Sequence, residues 1–226
     1  MPSSCALCGC AGEEALCDGC SRQFAGRHQH RCLQCATPLP EAAARICGDC
    51  LKQPPAFDAT IAAVDYAPPL DQLVLALKFG NRLALAPLFA RMLRDAVLRS
   101  PGFALPMQLT ATPLGSQRLM ERGFNQALEI AKPLSRALGV PLDAKLVVRM
   151  RDTQAQAMLH PDERRENIRN AFFVSTHAMD SVRGRHIGVV DDVITTGETL
   201  NELAATLKRF GAARVTNFVF ARTLPK

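Results

Sequence analysis

Two adjacent carboxylates, Asp191 and Asp192, stand just before the run Thr195-Thr196-Gly197-Glu198-Thr199. Neighbouring acids at a strand end can accept hydrogen bonds from vicinal hydroxyls and help hold Mg²⁺. A Thr/Gly run that opens a helix offers backbone N–H groups and hydroxyls where the helix dipole favours an anion. Gly197 lets the backbone close around that anion. The pieces suit a ribose 5-phosphate, the acids taking its hydroxyls and the loop its phosphate. A strand, a cap cluster and a helix with no ligand is the plain alternative, but capping rarely needs two acids before Thr-Thr-Gly-x-Thr. Glu198 puts a negative charge beside the expected phosphate, which is tolerable if its side chain turns to solvent.

All nine cysteines fall in the first 50 residues. Eight make Cys-x-x-Cys pairs: Cys5/Cys8, Cys17/Cys20, Cys32/Cys35 and Cys47/Cys50, with Cys10 left over. Such pairs match knuckles that grip tetrahedral Zn²⁺, and four pairs make two structural Cys₄ sites. Sequential sharing is the simplest arrangement, with crossed and nested pairings also open. His28 and His30 lie between the pairs and read as solvated loop residues. A segment this short could hardly build a core without the metal.

The elements around these residues alternate. Residues 1–53 form the Cys-rich module, and Pro54-Pro55 makes a stiff junction. Strands are predicted at residues 61–66, 105–112, 171–174, from His186 through Val190 toward Ile194, and at 215–221. Helices are predicted at 70–79, 83–98, 127–138 and 199–210, from apolar spacing and Gly/Pro stops. This order predicts an α/β unit over 57–226, a mostly parallel sheet with helices on both faces. The acids then sit where a buried strand ends, at the usual ligand edge of such a sheet.

Net charge is +6 and the pI about 9.0, which suits anionic ligands, phosphate or nucleic acid. No tryptophan and a single tyrosine, Tyr66, leave little for base stacking. No apolar run of about 18 residues argues for membrane insertion. The N-terminus carries no signal-peptide pattern, so a cytoplasmic location is expected.

Residues 188–200 resemble the PRPP-binding motif of the type I phosphoribosyltransferases. In that family the paired acids bind the ribose 2′- and 3′-hydroxyls and the Thr/Gly loop binds the 5′-phosphate. The resemblance implies those roles for Asp191 and Asp192, and for Thr195, Thr196, Gly197, Glu198 and Thr199. A departing pyrophosphate needs cations and N–H donors. Arg118 and Arg122, with Gly123, are the candidates to hold it, directly or through Mg²⁺, unless they lie on a solvated helix face. Lys78 can reach a phosphate. No side chain stands out as a general base. The polar run 149–170 reads as a lid that excludes water, or as a surface hairpin and helix.

The resemblance extends along the chain. The Cys-rich N-terminus, Lys78-Phe79, Arg122-Gly123-Phe124-Asn125-Gln126, Gln156 with Leu159, Arg164-Arg165-x-Asn167, Ala171-Phe172 and the PRPP motif occur in this order in the ComF-type competence proteins. The form with two zinc ribbons, related to the proteins called GntX, is the most similar. That family implies a type I phosphoribosyltransferase domain behind zinc-binding ribbons, and a role in natural transformation or use of imported DNA. The acceptor is not implied. Glutamine-dependent amidotransfer is not expected, because Pro2 and not Cys follows Met1 and no glutaminase unit is present. The other reading is a non-catalytic adaptor that senses a ligand, or binds single-stranded DNA or a helicase-like partner of the uptake machinery.

Overall fold

The computed structural model describes residues 3–25, 30–40, 44–100, 102–150 and 170–224. Four parallel strands form the main sheet: β3 (Ala59–Tyr66), β4 (Gln108–Ala111), β7 (His186–Ile194) and β8 (Arg214–Thr223). Their spatial order is β3-β8-β7-β4, so the last strand in the chain lies between the first and the third of the sheet. β7 and β8 are apolar on both sides, as a parallel sheet covered on each face requires. Ile187, Val189, Val190, Val215, Phe218, Val219 and Phe220 are fully buried.

Alternation along these strands divides the core in two. Val190, Phe218 and Phe220 face a cluster built with α3 (Leu70–Phe79), α4 (Ala86–Leu98) and α6 (Gln126–Leu138). Ile187, Val189, Val215 and Val219 face the cluster built with α7 (Glu198–Arg209). Gly188 marks the tightest point. A Cβ there would lie 2.5 Å from Leu109 Cδ2 and 2.8 Å from a Phe218 ring carbon, so β7 can meet its neighbours only with hydrogen at that position.

Expected boundaries move by a few residues, the strand expected at 171–174 is present as Phe172–Val174, and further elements appear. Residues 105–107 stay outside β4, whereas β8 runs longer than its apolar core. A helix, α5 (Ser116–Arg122), occupies the stretch around Arg118; it buries none of its residues, so it carries no apolar periodicity to read. An antiparallel pair, β5 (Val147–Arg149) with β6 (Phe172–Val174), stands off the main sheet. The expected lid falls mostly on residues 151–169, outside those described. Gln156, Leu159, Arg164, Arg165 and Asn167 share that position.

The Cys-rich segment repeats one small pattern twice. In the first copy, β1 (Ser3–Ser4) pairs with β2 (Ala11–Gly12), and a helical turn, α1 (Asp18–Cys20), follows Cys17. In the second, α2 (Gly48–Lys52) follows Cys47. The first copy joins the α3/α4/α6 core through Cys5, Leu16 and Cys20. The second joins the opposite core through Ala36, with Cys35 packed against it. The second copy also reaches the outer edge of β3. Thr60 N donates to Leu33 O at 3.0 Å, and Arg31 pairs with Asp65 at 2.8 Å. A bare sheet edge is thus partly covered by the Cys-rich segment.

Candidate functional site

The C-terminal ends of β3, β4, β7 and β8 open onto a cavity of about 300 Å³. Asp191 and Asp192 line it from within β7, which continues past them to Ile194. Each carboxylate accepts the next backbone N–H: Asp191 Oδ1 from Asp192 N, and Asp192 Oδ1 from Val193 N, both at 2.9 Å. Both residues are buried. Burial first, and then the charge of Asp192, push the Asp191 carboxyl up to about 8. Lys78 sits across the cavity with its Nζ 2.7 Å from Asp192 Oδ2. It belongs to the last turn of α3.

Past β7 the chain turns through Thr195, Thr196 and Gly197 into α7. Gly197 takes φ 86° as the helix N-cap, a conformation that L side chains rarely adopt, and gives the helix no side-chain cap. A second hollow of about 60 Å³ is lined by Thr196, Gly197, Glu198 and neighbours, and shares Asp191, Thr195 and Thr199 with the first. Glu198 is half-buried on its wall and does not turn fully to solvent. An anion in this hollow therefore lies beside a carboxyl group and gains from a cation carried with it.

The arginines behave differently from one another. Arg118, on α5, lines the larger cavity. Arg122 lies outside its lining, 5.3 Å over the Phe79 ring and donating to Gln126 Oε1. Burial lowers its pKa against the opposing charge of Asp192, so its guanidinium lies within electrostatic reach of the acids. Gly123 ends α5 at φ 78°, and Asn125 caps α6 while its Nδ2 holds Thr112 O at 3.0 Å. Sequence reasoning missed Tyr66, Gln126, Arg149 and Thr223 as wall residues. Tyr66 and Thr223 end their strands, so a rule that favours strand C-termini in a parallel sheet would have found them.

The cysteines gather as two tetrads, Cys5/Cys8/Cys17/Cys20 and Cys32/Cys35/Cys47/Cys50, with all sulfurs of each within 4.8 Å of one another. Sequential sharing is therefore the arrangement. His30 joins neither tetrad, and His28 lies outside the described residues. The repeat extends to the sulfur hydrogen bonds, Cys17 N to Cys5 Sγ at 3.4 Å and Cys47 N to Cys32 Sγ at 3.3 Å. Burial tends to raise Cys5, but backbone N–H groups hold it down at about 6; burial also tends to raise Cys35, and the Thr37 hydroxyl, with the Thr37 N–H, holds it at about 7. Burial and the neighbouring sulfurs push Cys20 up to about 12. Four thiolates cannot share so small a volume without a cation, and Zn²⁺ fits the donor set, number and spacing.

Comparison with known proteins agrees with this layout. The profile described as "Double zinc ribbon domain" matches residues 1–51, and "Phosphoribosyl transferase domain" matches residues 125–224. The DNA utilization protein YhgH of Escherichia coli O157:H7 is 38% identical over 99% of both chains. Competence protein F of Haemophilus influenzae is 35% identical over 93% of this chain and 91% of that one. Among solved structures, the glutamine phosphoribosylpyrophosphate amidotransferase of B. subtilis overlaps 60% of this chain and 26% of its own at 17% identity, with a TM-score of 0.39.

Fold and tetrads together define a phosphoribosyltransferase-like α/β chain that carries a double zinc ribbon. Within that class, it belongs to the ComF-type competence protein family.

Proposed function

We propose that this chain binds a phosphoribosyl ligand, PRPP with Mg²⁺ in the first instance, and acts in the use of imported DNA. The printed names of its relatives, DNA utilization protein and Competence protein F, support the cellular role. In this reading residues 57–226 hold the ligand and residues 1–53 form a zinc-held module. One observation carries the ligand: two buried carboxyl groups and a Thr/Gly turn line adjoining hollows at the end of one strand. Asp191 and Asp192 accept the ribose hydroxyls. The residues Thr195, Thr196, Gly197, Glu198 and Thr199 enclose the 5′-phosphate. Lys78 and Arg118, on the far wall, face the pyrophosphate, with Arg122 adding charge from behind. Mg²⁺ supplies further charge neutralisation when it arrives with the diphosphate.

If transfer occurs, the acceptor attacks C1 as pyrophosphate leaves. The chain's part is then to orient the sugar and stabilise the leaving charge. Titration calorimetry of metal-replete protein with ribose 5-phosphate, and with PRPP plus Mg²⁺, tests the reading. Binding at submillimolar concentration is expected for both ligands. No heat at millimolar concentration would overturn it.

A second reading, an adaptor for single-stranded DNA, draws on one surface observation. Phe79 is 71% exposed, with the Arg122 guanidinium over its ring and Lys78 beside it in sequence. An aromatic face among cations suits base stacking and phosphate contact together. Oligothymidylate binding is then expected to fall steeply with salt and to weaken about tenfold in Phe79→Ala, with ribose 5-phosphate affinity unchanged. Salt-insensitive binding, or none, removes this reading.

A further inference from the structure

Arg222 makes contacts that the ligand site alone does not explain. It lies near the end of β8, in register with Ile194 of β7. Its Nη1 donates to Ile194 O at 3.1 Å and to Thr195 O, the first residues of the Thr/Gly turn. Its Nη2 donates to Thr37 Oγ1 at 2.9 Å, in the Cys-rich segment. Thr37 in turn lies 3.2 Å from Cys35 Sγ and accepts Cys32 N through its own carbonyl at 2.8 Å. One arginine therefore joins the turn proposed to hold a phosphate to the second cysteine tetrad.

We infer that Arg222 is a positioning residue that links metal occupancy of the second tetrad to ligand occupancy of the Thr/Gly turn. The inference rests on the phosphoribosyl reading for the ligand, but not for the link itself. A trans peptide carries its C=O and N–H on opposite sides. Arg222 holds the carbonyls of Ile194 and Thr195 from outside the hollow. The N–H groups of Thr195 and Thr196 are thereby turned the other way, toward the hollow these residues line. An arginine fork suits this task because its donors are planar and fixed relative to one another. The choice of direction is costly, since Arg222 Nε is buried without a partner among the described residues.

The metal end of the link is equally constrained. A Zn²⁺-bound Cys35 is a thiolate, which accepts the Thr37 hydroxyl proton and leaves the hydroxyl oxygen to accept from Arg222. The knuckle between Cys32 and Thr37 cannot shift freely to compensate. Ala36 is fully buried, at φ 59°, and its carbonyl accepts Arg31 Nη1 at 3.0 Å while Arg31 Nη2 reaches Asp65. Leu33 O accepts Thr60 N from β3. A loss of metal at Cys35 therefore disturbs Thr37 first and the turn next. Linkage is reciprocal, so a ligand in the turn must in return strengthen metal retention at the second tetrad.

Thr37→Val removes the hydroxyl and keeps the shape, Thr37→Ser restores it, and Arg222→Met removes the fork. Zinc release to a colorimetric chelator, with and without saturating ribose 5-phosphate, is one readout. Amide hydrogen exchange at residues 194–199 in the ligand-free, metal-replete proteins is the other. In the wild type, ribose 5-phosphate is expected to slow release of one of the two metal ions, and both Thr37→Val and Arg222→Met are expected to abolish that slowing. Their affinity for ribose 5-phosphate should drop roughly 5- to 150-fold, the span of ordinary coupling between sites, with Thr37→Ser close to wild type. Exchange at 194–199 should quicken in both variants with two metal ions still bound. Unchanged exchange in Thr37→Val and Arg222→Met overturns the link. Quickened exchange in both variants, with a wild type that ignores ribose 5-phosphate, supports the link and sinks only the phosphoribosyl reading.

Discussion

Replacing Asp191 with asparagine is expected to make the protein more stable at pH 8 and to weaken its affinity for ribose 5-phosphate about 100-fold. The cause is one buried carboxyl whose pKa is raised to about 8 by burial and by Asp192. In the unfolded chain such a group ionises near its ordinary value, about 3.9. Below that pH both states hold the proton and its contribution to folding is fully present. As pH rises toward 8, the unfolded state gives up its proton and the folded state keeps it, so stability is lost across that window. Asparagine cannot ionise and escapes the loss. The melting temperature of Asp191→Asn should match the wild type near pH 4 and exceed it by roughly 3–8 °C at pH 8, corresponding to about 1–3 kcal/mol in a chain of this size. Thermal scans across that range check the sign; a deficit at pH 8 would contradict the account.

The same carboxyl links affinity to pH. If the ligand draws the ionised form, wild-type affinity rises between pH 6 and 8 by up to about tenfold per unit, with a proton released on binding. The phosphate's own ionisation near pH 6 contributes to the lower part of that rise. Asp191→Asn separates the two, because it leaves only the phosphate's share. Its residual affinity should be about 100-fold lower or less, since an uncharged amide meets hydroxyls placed for a carboxylate.

Metal removal should have the other large effect. Purified protein is expected to carry two zinc ions per chain by elemental analysis, and a strong chelator should lower its melting temperature by more than about 10 °C, since a structural zinc supplies folding energy directly. The loss should not stay within the Cys-rich segment. Cys5, Leu16 and Cys20 pack into one core, and Ala36 into the other, so both faces of the sheet lose contacts. Cys5→Ser and Cys32→Ser should each remove one ion. Cys32→Ser alone should also quicken exchange at residues 194–199, because the second tetrad is the one that reaches Arg222, through Thr37. A chelated protein that melts like the untreated one would exclude a structural role for the metal.

The site was more legible in the sequence than its surroundings, for physical reasons. Asp191, Asp192 and the Thr/Gly turn are chemically unusual and consecutive, so composition and order sufficed. The eight paired cysteines announced their tetrads by spacing, but not which pairs share, because that depends on the chain path between them. β7 and β8 were readable as apolar β-branched runs. α5 was not, since nothing on it is buried and helix periodicity exists only where one face packs. Tyr66, Arg149 and Thr223 reach the cavity only because separate elements end together there. Arg222 was invisible for the same reason: Thr37 lies 185 residues away in the chain. Lys78 was recognised as basic, but its pairing with Asp192 depends on how α3 meets the sheet.

The strand order carries an implication for how the molecule is made. β8 emerges last, yet it sits between β3 and β7 and supplies the partners of both. During synthesis the metal-bound knuckles and the first four helices after them can form early, while β3 waits without a neighbouring strand. Because the central strand follows all its sheet neighbours in the sequence, long-range pairing closes the sheet only once β8 has emerged. Until then β3 presents an open ladder on that side, so shortening the chain by its final strand would leave two unjoined halves and not a slightly smaller enzyme-like domain.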